Sequence, residues 1–228
     1  MAQALARLLG VRPGVTAVIG SGGKTTLLHT LAAELAPQGR VVLTTSTHIR
    51  PSAQFQTLLD PSEAALCAAL AAGAPVCIGS PAKEGKLTCP QLSFSRLAEL
   101  ADFVLVEADG SRGLPLKAHL PHEPVIPPEA QRTICVVGAS GLGRPIAQAV
   151  HRPEVFCALT GAKAADPAAP APVALALERE ALADIYYVNQ CDLPGVLSAA
   201  RELAAHLARP VVLGSLLGDV PEKAAKRD

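Results

Sequence analysis

Seven consecutive residues near the N-terminus read G-S-G-G-K-T-T and place three glycines, a lysine and two threonines in one short stretch. Glycine permits positive φ angles, so several backbone N–H groups of such a stretch can point at one anion. The lysine and the hydroxyls add donors for phosphate oxygens and a ligand for Mg²⁺. The pattern predicts a phosphate loop formed by Gly20, Ser21, Gly22, Gly23, Lys24, Thr25 and Thr26.

The residues on either side of this loop predict the elements that hold it. Thr16 to Ile19 are mainly β-branched and apolar, as in a strand buried on both faces. Leucines after the loop recur at helical spacing, so the loop should precede a helix N-terminus, where the macrodipole favours negative charge. We expect Lys24 to reach the β- and γ-phosphates, Thr25 to ligate Mg²⁺, and Thr26 to contact the α-phosphate.

The loop departs from the common G-x-x-x-x-G-K-[ST] pattern, because Val18 stands where the first glycine would be. The shorter form resembles the loop of amide-forming ligases of the Mur type. A glycine turn that has a lysine beside it by chance is the alternative. The order of strand, glycines, lysine, threonines and helix favours phosphate binding over that alternative.

A second apolar stretch, Asp102 to Gly110, reads D-F-V-L-V-E-A-D-G and ends in two carboxylates. Glu107 or Asp109 could hold Mg²⁺ through water or orient an attacking water molecule. The stretch resembles the E-x-x-G of metallochaperone GTPases, although acidic residues are also common turn formers at strand ends. The predicted catalytic residues are Lys24, Glu107 and Asp109, and the predicted Mg²⁺ site is Thr25, Glu107 and Asp109.

A third stretch contains N-Q-C-D and resembles the guanine-reading N-K-x-D of GTPases, with Gln190 in the lysine position. Guanine presents two donors on one edge, and the carboxylate of Asp192 could accept both, which adenine cannot match. Asn189 would contact the base or steady the loop. A polar turn after a strand is the alternative, so GTP is favoured and ATP stays open.

Histidines and bases in the middle of the chain are candidates for a second ligand. His119, His122 and Glu123 could bind a metal, but the prolines around them favour a hydrogen-bonded or solvated loop. The same interpretation applies to His48 and His151. Near the E-A-D-G turn, the basic side chains that could meet a phosphate or a second anion are Arg112 and Lys117, although surface bases are the common case.

Composition excludes several classes of partner. Twenty basic and twenty acidic residues cancel, aromatic residues are 3% and Trp is absent, so nucleic acid is not an expected partner. The N-terminus lacks the apolar run of a secretory signal, and no apolar run reaches membrane-spanning length. We therefore expect a cytoplasmic protein that does not bind membranes.

The order of the predicted elements indicates the fold class. Strands alternate with helices, which predicts an α/β, P-loop NTPase-like fold with a mostly parallel sheet and helices on both faces. We expect one domain over residues 1–228, with a small β-hairpin insertion at about 73–90. A Pro-rich segment at about 111–128 is a candidate flap over the site.

Taken together, these motifs resemble the YqeC family, whose members are accessory proteins of selenium-dependent molybdenum hydroxylases. The resembling blocks run from Gly20 to Asp192 and include V-E-A-D-G and H-E-P-V-I-P. The resemblance implies a cytoplasmic nucleotide-binding protein that serves selenium or molybdenum cofactor maturation. A molybdenum hydroxylase or another maturation protein would then be its partner.

Three hypotheses of function follow. The first is a Mg²⁺-dependent P-loop GTPase that gates delivery or activation of a cofactor component. The second is a small-molecule kinase or an ATP-dependent ligase, which the short loop allows. The third is a module that binds nucleotide without hydrolysing it. The sequence does not fix the oligomeric state.

Overall fold

The computed structural model describes residues 4–218 and 222–223. The helices are α1 (Leu5–Leu8), α2 (Lys24–Leu35), α3 (Glu63–Leu70), α4 (Phe94–Leu100), α5 (Ile146–Ala149), α6 (Pro153–Thr160), α7 (Pro170–Glu180) and α8 (Val196–His206). The strands are β1 (Gly14–Gly20), β2 (Val41–Thr45), β3 (His48–Ile49), β4 (Gln56–Leu59), β5 (Val76–Pro81), β6 (Leu87–Thr88), β7 (Phe103–Glu107), β8 (Leu116–Lys117), β9 (Ala130–Gly138), β10 (Val150–His151), β11 (Ile185–Asn189), β12 (Val211–Leu213) and β13 (Glu222–Lys223).

The core of the fold is a mostly parallel sheet with its strands in the order β12, β11, β9, β1, β7, β2, β5. Each neighbouring pair in this series runs parallel. Antiparallel pairs occur at the margins, between β12 and β13 and among β5, β6 and β3. The predicted mostly parallel α/β sheet is confirmed, and it is compatible with a P-loop NTPase-like fold.

Alternate residues of the central strands pack against helices on opposite faces of the sheet. Val18 of β1 and Leu105 of β7 join a buried cluster with α1 and α2. Ile19 of β1 belongs to a second cluster that includes α6, α7 and α8, and Val104 of β7 belongs to a third with α3 and α4. A strand buried on both faces has few polar positions, which explains the apolar runs in the sequence.

The phosphate loop lies where the order of connections reverses. From β1 the chain passes through α2 to β2 on one side, whereas after β7 it crosses to β9 on the other side of β1. Ligands of open α/β sheets bind outside the carboxyl ends of the strands at such a switch point. The ends of β1, β7 and β11 carry the three sequence motifs and meet at this edge.

The predicted hairpin is present and is continuous with the main sheet. Ser80 and Pro81 at the end of β5 pair with β6 in antiparallel fashion. The start of the same strand pairs in parallel with β2 through Val76 and Cys77, and with β4. The strand thus extends the sheet as well as forming the hairpin, which the sequence analysis treated as an insertion.

The Pro-rich segment is anchored along its middle. Strand β8 within it pairs with β10, Ala118 N–H donates to His151 O at 3.0 Å, and Gly138 N–H donates to Pro115 O at 2.9 Å. The residues from Pro115 to His119 are buried. The residues of this segment that line the cavity beside the loop are Ser111 to Leu114 and Glu123, so the lining part is shorter than the predicted flap.

None of the helices in residues 4–218 and 222–223 combines the length and the apolar character needed to cross a bilayer.

Packing of α2 against the sheet should contribute a large share of the stability. Leu31 on α2 has no exposed surface, so Leu31→Ala should lower the free energy of unfolding by about 2–5 kcal/mol, measured by urea unfolding. Leu175→Ala on α7 is the control, because Leu175 is 38% exposed and its removal leaves a smaller cavity. Equal losses in the two variants would contradict this assignment of the core.

Candidate functional site

The phosphate loop is a tight turn that only glycine fits at several positions. Gly20, Gly22 and Gly23 have φ of 88°, 90° and 133°, which L-residues rarely adopt. A Cβ on Gly22 would lie 2.4 Å from Gly138 Cα, and one on Gly20 would lie 2.3 Å from Val136 O. The loop therefore packs directly on the end of β9.

Most backbone N–H groups of the loop donate no hydrogen bond to the described residues. Gly20 N–H donates to Asp109 Oδ2 at 2.9 Å and Ser21 N–H donates to Val136 O at 2.8 Å. From Gly22 to Thr26, the N–H groups donate to no acceptor in the described part of the chain. These donors lie at the N-terminus of α2, where the helix macrodipole adds a positive potential.

Lys24 lies inside the loop and is held by several groups. Its Nζ donates to Gly20 O at 2.8 Å and to Ser111 Oγ at 3.2 Å, and it lies 3.1 Å from Asp109 Oδ1. Glu107 Oε1 is further away, at 4.0 Å. Only 4% of the Lys24 side chain is exposed. Lys24 is nevertheless one of the residues that line the cavity described below. The ammonium group is thus fixed at the centre of the loop.

Thr25 and Glu107 form the second part of the site. The Thr25 hydroxyl donates to Glu107 Oε2 at 3.0 Å, and both residues line the cavity. Burial raises the pKa of Glu107, although Lys24 and the Thr25 hydrogen bond act in the opposite direction. A hydroxyl and a carboxylate oxygen therefore lie side by side next to the open amides.

Asp109 lies in a buried charge cluster behind the loop. Its Oδ2 accepts from Gly20 N–H and is 2.8 Å from His119 Nε2 and 3.1 Å from Lys117 Nζ. Burial alone would raise the pKa of Asp109, but the His119 hydrogen bond and the charges of Lys24 and Lys117 outweigh it and lower the pKa to about 2. The carboxylate has no exposed surface and does not line the cavity.

His119 bridges two carboxylates. Its Nε2 lies 2.8 Å from Asp109 Oδ2, its Nδ1 lies 2.8 Å from Glu180 Oε2, and its backbone N–H donates to Glu180 Oε1 at 2.6 Å. Burial would lower the pKa of His119, but the hydrogen bonds to the two carboxylates raise it. Two carboxylate acceptors require two N–H donors, so the geometry fits an imidazolium.

A neighbouring ion pair fixes the rest of the segment. Glu123 is 3.0 Å from Lys117 Nζ and 2.7 Å from Arg152 Nη2. Burial would raise the pKa of Glu123, but these partners outweigh it and lower the pKa to about 2. Lys117 is therefore bound to Asp109 and Glu123, which makes it a structural cation and not the free phosphate ligand considered from the sequence.

The segment after β11 reaches the loop from the other side. Asn189 Nδ2 donates to Gly22 O at 2.7 Å, and its Oδ1 accepts from Leu216 N–H at 3.1 Å. Gln190 accepts from Ser140 Oγ at 2.6 Å. Asp192 is exposed and lines the cavity. Asn189 thus steadies the loop, and Asp192 stays accessible to a ligand.

A cavity of about 870 Å³ joins these groups. Its lining includes Gly22, Gly23, Lys24, Thr25, Thr26, Glu107, Asn189 and Asp192 from the predicted site. Gly20, Ser21 and Asp109 support the loop from behind, and His122 is exposed away from the lining. In the described residues, no group of three or more His, Cys, Asp and Glu side chains is arranged to hold a metal ion.

Sequence reasoning missed Glu180 and Ser111. Glu180 ends α7, and its side chain is 8% exposed and holds His119. An acidic residue in the last turn of a helix is unfavourable for the macrodipole, and that is the signal that could have marked it. Ser111 follows the second motif directly, but a serine in a turn carries no comparable signal.

The bridging histidine should make stability depend on pH. The folded state holds the His119 proton more tightly than the unfolded chain, so this stabilisation is full below the ordinary pKa of about 6.5 and is lost as pH rises through the raised folded pKa. Compared with wild type, His119→Gln should lower the free energy of unfolding by about 2 kcal/mol at pH 6, and by less at pH 9.

Urea unfolding across this pH range measures the difference. The control is His122→Gln, an exposed position where a substitution should change the free energy of unfolding by less than about 0.5 kcal/mol. A deficit for His119→Gln that grows as pH rises would show that the imidazole is neutral in the folded protein.

Comparisons with known proteins find a family match that covers most of the site residues. A sequence model of the family described as "YqeC protein" matches residues 16–154. This range contains the phosphate loop, Asp109, Lys117 and His119. "Uncharacterized protein YqeC" of Escherichia coli (strain K12) is 39% identical over 158 residues, which cover 66% of this chain and 62% of that protein. The match therefore spans less than two thirds of the relative's length. On both findings, the chain belongs to the YqeC family.

Proposed function

We propose that the chain binds a Mg²⁺–nucleoside triphosphate at the phosphate loop and acts on its γ-phosphoryl group. The observation that carries the proposal is the set of backbone N–H groups from Gly22 to Thr26, which have no acceptor among the described residues. Open amides at a helix N-terminus, with Lys24 beside them, bind polyphosphate in other proteins. The residues that carry them line a cavity large enough for a small-molecule ligand.

Thr25 and Glu107 fit the Mg²⁺ ion that this proposal includes. Mg²⁺ takes oxygen ligands and binds through one or two protein groups, water and phosphate oxygens. The neighbouring hydroxyl and carboxylate supply such groups. When bound, Mg²⁺ neutralises charge on the β- and γ-phosphate oxygens. The placement favours Glu107 over Asp109 as the carboxylate ligand, because Asp109 is fully buried among cations.

The other residues take distinct roles. Lys24, fixed by Gly20 O and Asp109, stabilises charge on the transferring phosphoryl group. Asp109 acts through Lys24 and the loop and is a positioning residue in this proposal. Glu107, whose carboxylate lies beside the Thr25 hydroxyl, would also orient an attacking water in this proposal.

The nucleotide base would lie on the β11 side of the loop. Asp192 is accessible there, and Leu193, Leu216 and Leu217 add apolar surface to the lining. An apolar wall that carries one carboxylate suits guanine, because the carboxylate can accept from both donors on the guanine edge. GTP is therefore the favoured nucleotide, with ATP as the alternative.

The family supports a biological setting for this activity. The resemblance that the motifs carry implies an accessory role in maturation of selenium-dependent molybdenum hydroxylases. In that setting the nucleotide would gate delivery or activation of a cofactor component, and a molybdenum hydroxylase or a maturation protein would be the partner. A purified partner that stimulates phosphate release would support this role.

A small-molecule kinase or an ATP-dependent ligase is the second candidate function. It is favoured by the basic side chains that line the cavity beyond the γ-phosphate side of the loop, including Arg50 and Arg112. A kinase or ligase needs a site there for its second, anionic reactant.

Removal of the loop lysine should abolish tight nucleotide binding. Lys24→Ala should raise the dissociation constant for Mg²⁺–GTP by roughly 100-fold, because a charged donor to the phosphates is lost. Isothermal titration calorimetry measures the change. The control is Lys163→Ala, whose exposed side chain is outside the cavity lining. Unchanged affinity in Lys24→Ala would overturn the proposal.

Lys24→Ala also leaves Asp109 without one of its buried cations, so a second variant separates binding from folding. Thr25→Ala removes one exposed hydroxyl, and it should weaken GTP binding roughly tenfold in Mg²⁺ and leave binding in EDTA unchanged. Thr30→Ala on the same helix is its control. Equal affinities for Thr25→Ala and Thr30→Ala in Mg²⁺ would remove Thr25 from the metal site.

Asp192 should decide the choice of base. Asp192→Asn should weaken GTP binding roughly tenfold, leave ATP binding unchanged and improve binding of xanthosine triphosphate, because xanthine has a carbonyl where guanine has an amine. Competition titrations of the three nucleotides measure this, with Glu202→Gln on the exposed side of α8 as the control. Parallel losses for GTP and ATP would assign Asp192 to another role.

A further inference from the structure

The cavity extends past the phosphate loop on the side opposite the proposed base. The lining on that side comes from four separate parts of the chain: the end of β3, the turn between β5 and β6, the loop after β7, and the junction of β10 and α6. The basic side chains they contribute are His48, Arg50, Lys86, Arg112, His151 and Arg152. The only acidic residue of this part of the lining within the described chain is Glu123.

Two of these cations form no ion pair among the described residues, although the exposed Glu84 interacts electrostatically with Arg50 as well as with Lys86. Glu123 is already bound by Lys117 and Arg152. Lys86 pairs with Glu84 at 2.9 Å. Arg50 and Arg112, in contrast, make no hydrogen bond or ion pair with any residue that the structure describes.

The cations of this part of the lining also act on His151. His151 is 9% exposed and lines the same part of the cavity. Burial lowers the pKa of His151, and the charges of Lys117, Arg152 and Arg112 lower it further. The whole chain has equal numbers of basic and acidic residues, so this local excess of cations does not follow from composition.

Backbone strain marks the same positions. Arg112 has φ of 50° and Arg152 has φ of 68°, both in the left-handed region that non-glycine residues seldom occupy. Backbone strain of this kind is found at ligand sites. The two conformations bring arginine side chains to the cavity lining.

Strand order sets where this basic region lies relative to a bound nucleotide. The base side follows β11, the loop follows β1, Glu107 ends β7, and His48 and Arg50 follow β2. Since β7 lies between β1 and β2, the Thr25–Glu107 pair separates the loop amides from the basic region. A γ-phosphate held near Thr25 would thus point toward Arg50 and Arg112.

We propose that this basic region is the binding site for a second, small anionic substrate, one that carries a carboxylate or a phosphate group and lies beside the γ-phosphate. The inference rests on the proposed function for the position of the nucleotide. Arg50 and Arg112 are the cations free to bind the anion, and a guanidinium binds both groups through paired N–H donors. The nearby Arg152 is already committed to Glu123.

The test uses the full chain saturated with Mg²⁺ and guanylyl imidodiphosphate, so that the loop is filled and no turnover occurs. Malonate and inorganic phosphate are titrated separately at constant ionic strength, with ligand-observed NMR as the readout. Wild type should bind at least one of them, and the Arg50→Gln/Arg112→Gln double variant should bind it at least about tenfold more weakly. The probe bound more tightly identifies the group as carboxylate or phosphate.

The matched control is Arg7→Gln/Arg12→Gln, which removes the same charge at exposed positions near the amino ends of the strands. Equal weakening in both double variants would show a general charge effect and overturn the inference, as would the absence of binding of both probes to wild type. A roughly 100-fold loss of nucleotide affinity in Arg50→Gln/Arg112→Gln would also overturn it, because these arginines would then belong to the nucleotide site. Failure of wild type to bind both this analogue and adenylyl imidodiphosphate would instead refute the proposed function.

Discussion

The fully buried carboxylate of Asp109 is the interaction on which the site depends. A buried charge is stable only if it is paired and hydrogen-bonded, because the interior solvates it poorly. Here Lys24, Lys117, His119 and the Gly20 N–H surround it. These partners come from the phosphate loop and from the Pro-rich segment, so one charge holds both segments in place. Loss of any one partner would remove part of this compensation in the interior.

This constraint also explains why the Pro-rich segment behaves as part of the wall of the site. Prolines remove backbone donors and prevent regular structure, and the sequence therefore predicts an exposed flap. In the structure, buried ion pairs and hydrogen bonds of Lys117 and His119 add to the short pairing of β8 with β10. Glu180 on α7, 61 residues after His119, accepts the hydrogen bond of the His119 backbone N–H. Long-range pairing of this kind has no local pattern in the sequence.

The predictions from sequence succeeded where a local rule determines the outcome. Alternation of apolar runs and helical periodicity predicted the parallel sheet, and glycine spacing predicted the loop before α2, since both depend on residues close together in the chain. The roles of Glu107 and Asp109 were not separable in this way. The two residues are two positions apart, so an extended chain would place both side chains on the same side of the backbone. The structure separates them, because Glu107 lies beside Thr25 and Asp109 lies behind Lys24.

The same separation gives the cavity its direction. The charge of Asp109 is compensated by protein cations, and its carboxylate does not line the cavity. Asp109 therefore positions Lys24 and the loop without adding negative charge to the lining. Glu107 remains as the carboxylate beside Thr25, where a divalent cation would offset it. On one side of this centre the lining carries Asp192 and apolar side chains. On the other it carries Arg50 and Arg112, which form no ion pair with the residues that the structure describes. A polyphosphate with a polar base at one end fits only one way into such a field, because its γ-phosphate is attracted to the basic side and repelled by Asp192. In the proposed function, the orientation of the nucleotide and the place of a second reactant would thus follow from how the fold distributes its paired and unpaired charges.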